Sequence, residues 1–465
     1  MTLFSDLARF ASGLSGGASL VSSWDSNYEA SRALYNGAAT ARPVFIVYCA
    51  TEGDVSAAVR FATSAELPFV VRAGGHSLEG FSLVDGGLVI DVTRIDYVRV
   101  DKSQRTATVG AGVRSLALAR QLAAFNLHFP GSGDGDVGIA GLTLGGGFGP
   151  TSRQFGLACD NLLELVLVTA DGELITANET LRPDLLWAHR GGGGGNFGVV
   201  VSMTLRLHEL PAVYLFNAVW PAEQAVEALA VWQDYSTSPQ SKLGLYAGLN
   251  KIYGKTGQVE AVLGMAGVFV GDEAEAREAL APLFSVGTPR LSLAQTTDYV
   301  GVLTNLFAYA APQGKWGSGS SQAGPAAQKV KSAYAARAWM PSEFKLLVDG
   351  YTAYKKIAFV SLENYGGVVN SVPVGATAFP HRSSAFLAQI GVFWLEESER
   401  AEAEAWIREY FAGLQPFLSS SVYVNYPDLE LEDYAGSYYG ENLERLRCIK
   451  AEVDPGGVFT FAQSL

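Results

Sequence analysis

The chain has 465 residues, 48% of them hydrophobic and only 17% charged, so it holds enough core material for several folding units and shows no sign of extensive disorder. A formal net charge of -13 argues against a nucleic-acid binder working through a basic patch and against an anionic membrane surface as partner, which favours small molecules. Met1 to Phe10 lacks a basic stretch followed by an apolar run, and no apolar run reaches membrane-spanning length, so a cytoplasmic protein is expected. Cys49, Cys159 and Cys448 are far apart and unpaired by spacing, as buried thiols in a reducing compartment would be.

In chain order, Pro43 to Tyr48 is a strand run. Thr51 to Asp54 has the spacing of a capping box before Val55, Val59 and Ala62 at helical intervals, and Phe69 to Arg72 is a second strand, which together predict a βαβ unit. That second strand empties into Ala73-Gly74-Gly75-His76-Ser77-Leu78-Glu79-Gly80, a glycine turn presenting one histidine at a strand's carboxyl end, where open α/β folds place ligands. Leu88 to Asp91 and Tyr97 to Val109 continue as strands, and Val113 to Ala124 has a helix pattern. Phe129 to Gly149 is a second glycine tract whose apolar Val137, Ile139, Leu142 and Leu144 point to a buried wall along a diphosphate or a planar ring rather than a flexible loop. Asn161 to Thr176 predicts a hairpin turning at Asp171-Gly172, and Arg190 to Val200 is a third glycine tract, so three tracts converge on one large ligand.

Past Leu207 glycine thins out. Strand-like runs (Tyr214 to Val219, Val259 to Val270, Ile357 to Leu362, Ala385 to Trp394) alternate with helices (Ala222 to Tyr235, Asp272 to Leu280, Glu396 to Phe411), which predicts an α+β substrate domain. Gln313 to Gly324, rich in Gly and Ser, is expected as a mobile loop.

Several familiar motifs fail on spacing. Gly75 to Gly80 has one residue too many for the nucleophile elbow of an α/β-hydrolase, which would have made Ser77 a nucleophile. Gly248 to Thr256 ends like a P-loop but separates its glycines by five residues, and a hairpin turn suits it better. Gly110-Ala111-Gly112 lacks the third glycine of a Rossmann fingerprint, and histidines 76, 128, 189, 208 and 381 show no metal-ligand spacing.

Taken as a set, Arg72 to Ser77, Val137 to Gly149, Phe155 to Asn161, Arg190 to Val200, Pro380-His381-Arg382 and the tail Tyr423-Val424-Asn425-Tyr426 resemble the berberine bridge enzyme-like branch of the vanillyl-alcohol oxidase flavoproteins. The resemblance implies an α+β fold: a FAD-binding domain over 1–207, a substrate domain on an antiparallel sheet over 208–414, and a tail over 415–465 returning to the first domain. It implies that His76 is the covalent attachment point of FAD. Arg72, Ala73, Gly74, Gly75, Ser77, Leu78, Gly80 and Phe81 would form the surrounding loop. Gly138, Gly141, Leu144, Gly145, Gly147 and Gly149 would form the wall along the flavin, with Asp160, Asn161, Gly198, Val199, Val200 and Asn425 as further contacts. Many relatives have a second covalent link from a cysteine three residues before the position matched by Val137. Asp134 stands there in this chain, so a single bond through His76 is expected. Valine at 137 resembles the oxidases, which implies dioxygen as electron acceptor and hydrogen peroxide as product.

The reaction class implied is hydride transfer from a carbon activated by oxygen or nitrogen, on a small or medium-sized specialised metabolite, with sugar or simple alcohol oxidation as the alternative. A dehydrogenase and a flavin-binding protein that has lost catalysis are further readings. For the base, relatives point to a tyrosine of the tail motif. Strand alternation would put Tyr423 with Asn425 on one face and Tyr426 on the other, and Tyr426 is chosen, with Tyr423 and Glu363 as the competing candidates. A phenol near pKa 10 needs a nearby positive charge or the flavin environment to lower its pKa before it can serve at neutral pH.

Overall fold

Strand β2 (Phe45–Tyr48) leads into the helix Glu52–Ser64, whose start is held by the expected reciprocal cap: Thr51 Oγ1 accepts from Asp54 N at 3.2 Å, and Asp54 accepts from Thr51 N at 2.9 Å. The first sheet runs β1 (Ser19–Ser22), β2, β4 (Leu88–Asp91), β3 (Phe69–Arg72), with β4 parallel to both neighbours. The βαβ unit is present, but β2 and β3 are not adjacent. All four residues of β4 are buried, which suits a central position between them. The computed structural model describes residues 3–210, 212–238, 241–253, 259–307 and 326–465.

The second sheet is antiparallel along β5 (Val98–Asp101), β6 (Thr106–Gly110), β10 (Val199–Arg206), β8 (Leu162–Val168) and β9 (Leu174–Asn178). The Asp171-Gly172 turn joins β8 to β9, with Gly172 at φ 74°. A two-residue ladder, β7 (Leu127–His128) with β11 (His208–Glu209), lies at the junction with the next unit.

The third sheet has seven antiparallel strands: β12 (Val213–Pro221), β13 (Leu243–Tyr253), β14 (Val259–Phe269), β15 (Arg290–Thr297), β16 (Ala327–Ala335), β17 (Ala358–Asn364) and β18 (Phe386–Trp394), in spatial order β15-β12-β14-β13-β17-β18-β16. Helices Ala225–Thr237, Pro341–Ala353 and Arg400–Leu414 cover one face, with Trp232, Leu347 and Ile407 packed in one core with Leu245, Leu249 and Val360. The other face carries Tyr246, Tyr334 and Leu387, which share a core with Phe148, Leu157 and Tyr423 from the rest of the chain. Strand alternation thus divides the sheet between a helical layer and the site.

Tail residues Val422, Tyr438, Leu446 and Phe459 belong to the core that also holds Phe45, Leu88, Leu144 and Val201. β13, β15, β16 and the helix Pro341–Ala353 were not foreseen. β16 is buried yet carries Lys329 and Lys331, and charged residues obscure a strand pattern. The hairpin expected over Gly248 to Thr256 is closed by β13 pairing β14 out to Tyr253 and Val259, although 254–258 lie outside the described residues, as does the loop expected over Gln313 to Gly324. Among the described residues no helix is long and apolar enough to cross a membrane.

Candidate active site

A cavity of about 720 Å³ lies between the glycine tracts and the face of the third sheet away from the helical layer, in the upper part of the range for ligand pockets, roughly 300–1,000 Å³. Ala73, Gly74, Gly75, His76, Ser77, Leu78 and Phe81 line it from the first tract, Asp134, Val137, Gly138, Gly141 and Leu144 from the second, and Gly198 and Val200 from the third. Tyr423, Asn425 and Tyr426 of the tail and Glu363 of β17 complete the set. The first two tracts touch through backbone: a Cβ on Gly74 would sit 2.5 Å from Gly138 N, so neither tract tolerates a side chain there. Backbone N–H groups and bare Cα atoms form this wall, as a diphosphate and a flat ring system require, and Gly193, Gly194 and Gly195 extend it.

His76 stacks against Tyr35, with ring centroids 4.6 Å apart and 15° between planes. Burial lowers the pKa of its imidazole, opposed by the carboxylates of Asp134 and Asp136, so the ring is neutral near pH 7 with a nitrogen lone pair free. None of the three cysteines lines the cavity.

Eight expected contacts stand outside the cavity. Arg72 turns into the core, where its guanidinium pairs with Asp91 and donates to Ser31 O at 2.7 Å, joining β3 to β4. Asp160 pairs with buried Arg382 at 2.6 Å, and Asn161 donates to Phe155 O and Leu157 O at 3.0 and 2.9 Å while accepting from His208 Nε2 at 2.7 Å. Both brace the turn ahead of β8. Val199 is fully buried in β10. Gly80 packs on Ala39, Gly149 on the Gly131 carbonyl and Gly145 beneath the Asn425 amide, so these three give close approach without facing the ligand space. Gly147 donates its N–H to Tyr423 Oη at 2.7 Å.

The tail does not continue as a strand. Tyr426 N donates to Tyr423 O at 2.8 Å, closing a turn that brings the two rings within 5.0 Å of each other, so both tyrosines reach the cavity despite the period-two expectation. Tyr426 Oη donates to Glu363 Oε1 at 2.8 Å. Burial and then the Glu363 charge raise the Tyr426 phenol well above its ordinary pKa. Burial likewise raises Tyr423, whose oxygen accepts from Gly147 N and from Asn425 Nδ2 at 2.9 Å. Glu363 is different: burial pushes its carboxyl up to about 7, the Tyr426 hydrogen bond holds it back, and Oε2 is buried without a hydrogen-bond partner. A carboxylate poised at that pKa beside a ligand cavity is suited to accept a proton. Tyr426, Tyr423 and Glu363, the three expected candidates for the base, are thus brought together at one cavity, with Tyr426 and Glu363 joined by a hydrogen bond.

Two family models match the chain: the FAD binding domain over residues 43–178, and berberine and berberine like over 422–465. It is 34% identical to the FAD-linked oxidoreductase YvdP of Bacillus subtilis (strain 168), covering 91% of this chain and 92% of that one. The chain belongs to the berberine bridge enzyme-like FAD-linked oxidoreductases. YgaK of the same organism, another FAD-linked oxidoreductase, is 32% identical over 95% of both chains. Among solved structures, Physcomitrella patens BBE-like 1 superposes with a TM-score of 0.88 at 27% identity, covering 100% of this chain and 99% of that one. FAD is the cofactor of this enzyme family, and the glycine-walled cavity fits it.

Sequence reasoning missed Tyr35 and the cavity face of the third sheet: Tyr246, Asn250, Phe359, Ser361, Gln389 and Phe393. Alternation along β13, β17 and β18 is the signal that finds the sheet residues, since Tyr246 pairs with Glu363, and Ser361 with Gln389. Tyr35 carries no such periodicity.

Proposed function

We propose that this enzyme holds FAD through one covalent bond from His76 and oxidises a small or medium-sized specialised metabolite, passing its electrons to dioxygen to give hydrogen peroxide. The observation that carries the reading is Glu363, a buried carboxyl near pKa 7 with one oxygen unpartnered, facing the same cavity as His76. Bound FAD supplies the hydride acceptor. The neutral His76 imidazole offers the nitrogen for attachment, and the absence of cysteine from the cavity supports a single link. Glu363 in its ionised form would take the proton of the substrate hydroxyl or other acidic group, with Tyr426 holding Oε1 and leaving Oε2 without a hydrogen-bond partner.

Phe148, Tyr246, Phe307, Phe359 and Phe393 surround the substrate space, which favours a largely apolar or aromatic molecule over an extended sugar. Val137 lines the cavity, in keeping with oxygen access. The test is a panel of benzylic alcohols, polyketide-like and alkaloid compounds, and sugars, scored by peroxide release and repeated with Glu363→Gln. Peroxide from apolar alcohols that is lost in Glu363→Gln supports the reading. Turnover of sugars alone, or full activity of Glu363→Gln, overturns it.

A further inference from the structure

The loop that presents His76 is held from outside. Within it, Gly80 N donates to Ser77 O at 3.3 Å and Phe81 N to Ser77 Oγ at 3.0 Å, while Gly75 and Gly80, both at φ 72°, take backbone conformations that side-chain-bearing residues rarely adopt. Its outer side is gripped at successive residues. Tyr35 N donates to Gly75 O at 3.0 Å as its ring stacks on His76, and buried Asn36 donates to Leu78 O at 2.6 Å. The same Asn36 donates to Gln328 O at 3.0 Å and accepts from Gln328 N at 3.1 Å, so its amide binds β16 as a neighbouring strand would. One residue along on each element, Lys329 Nζ donates to Glu79 Oε1 at 2.5 Å and to Asp428 Oδ1 at 2.6 Å, with side chains only 10%, 13% and 5% exposed. Asp428 lies two residues past Tyr426 and is also held by Lys331 at 2.7 Å, which reaches Glu430 in turn at 2.7 Å.

One ammonium therefore ties the loop carrying the attachment histidine to the turn carrying the base's partner. Buried ion pairs add little net stability but can fix one arrangement among several, and a covalent site needs its atoms held to about 0.5 Å. We propose that Lys329, with Glu79, Asp428 and Asn36, forms a clasp that positions His76 against the flavin site, making β16 and the tail part of the attachment site. This rests on the single-link reading for its cofactor consequence, though the clasp itself does not.

The experiment is hydrogen exchange on purified Glu79→Gln, which is isosteric and releases only the loop end of the clasp, with Glu430→Gln as a control at the outer end of the same network. Asn36→Ser gives an independent release at Leu78. In Glu79→Gln and Asn36→Ser, peptides spanning Gly74 to Phe81 are expected to exchange about tenfold faster than wild type, and in Glu430→Gln at the wild-type rate. The fraction of flavin retained by acid-precipitated protein is expected to fall with the same two variants and not with the control. Loop exchange within about twofold of wild type in both variants, or an equal rise in the control, overturns the clasp. A wild-type precipitate without flavin refutes the covalent reading and leaves the exchange result to decide the clasp alone.

Discussion

On the His76 side the cavity wall is backbone: three glycine tracts meet so closely that Gly74 and Gly138 leave no space for a Cβ. On the sheet side it is side chain: alternate residues of β13, β17 and β18 project Tyr246, Glu363, Phe359 and Gln389 into the same space. A backbone wall can serve only a ligand whose shape is constant, and a side-chain wall can be rewritten without disturbing the fold. In the proposed function the first would hold the cofactor and the second the substrate.

The largest expected effect comes from breaking the backbone wall. Gly138→Val places a Cβ 2.7 Å from Gly74 Cα and should cost about 3 kcal/mol or more of stability through overpacking, seen as loss of bound FAD and a lowered melting temperature. Breaking the side-chain wall should leave the fold intact: Glu363→Gln is expected to keep its flavin absorbance and lose about 10²–10⁴ in kcat/KM, measured under steady state. The same substitution should stabilise the protein at alkaline pH. The folded pKa of Glu363, about 7, lies above its ordinary 4.5, so the native state holds an extra proton between them and stability falls as pH rises through that window. Removing the group relieves up to about 3 kcal/mol above the window, measured by denaturant titration at about pH 8.

Smaller effects sharpen the division of roles within the side-chain wall. Wild-type kcat/KM should rise with pH through about 7 as Glu363 ionises. Tyr426→Phe removes the hydrogen bond that holds the Glu363 pKa down, so the limb should move to higher pH by about one unit while the plateau rate falls less than in Glu363→Gln. A rate lost in Tyr426→Phe and kept in Glu363→Gln would return the base to the phenol.

The same contrast explains what was legible in the sequence. Glycine density and the His76 turn marked the backbone wall because few other structures require glycines in such runs, and the family motifs lie on them. Yet Arg72, Asp160 and Asn161, within those motifs, brace the scaffold through Asp91, Arg382 and His208, since a motif records close packing as readily as ligand contact. The sheet wall was harder to see. β16 hides its strand character behind Lys329 and Lys331, whose charges are paired with Glu79, Asp428 and Glu430 from distant segments. The tail turn that unites Tyr423 with Tyr426 depends on packing that alternation alone does not reveal.

The most direct test of the backbone wall as cofactor site is acid precipitation of wild-type protein and His76→Ala, followed by flavin spectroscopy and peptide mass analysis of the precipitates. A yellow wild-type precipitate with flavin mass on the His76 peptide is expected, together with a colourless His76→Ala precipitate from protein that still binds FAD when native. A colourless wild-type precipitate, or flavin carried on another residue, would contradict attachment through His76.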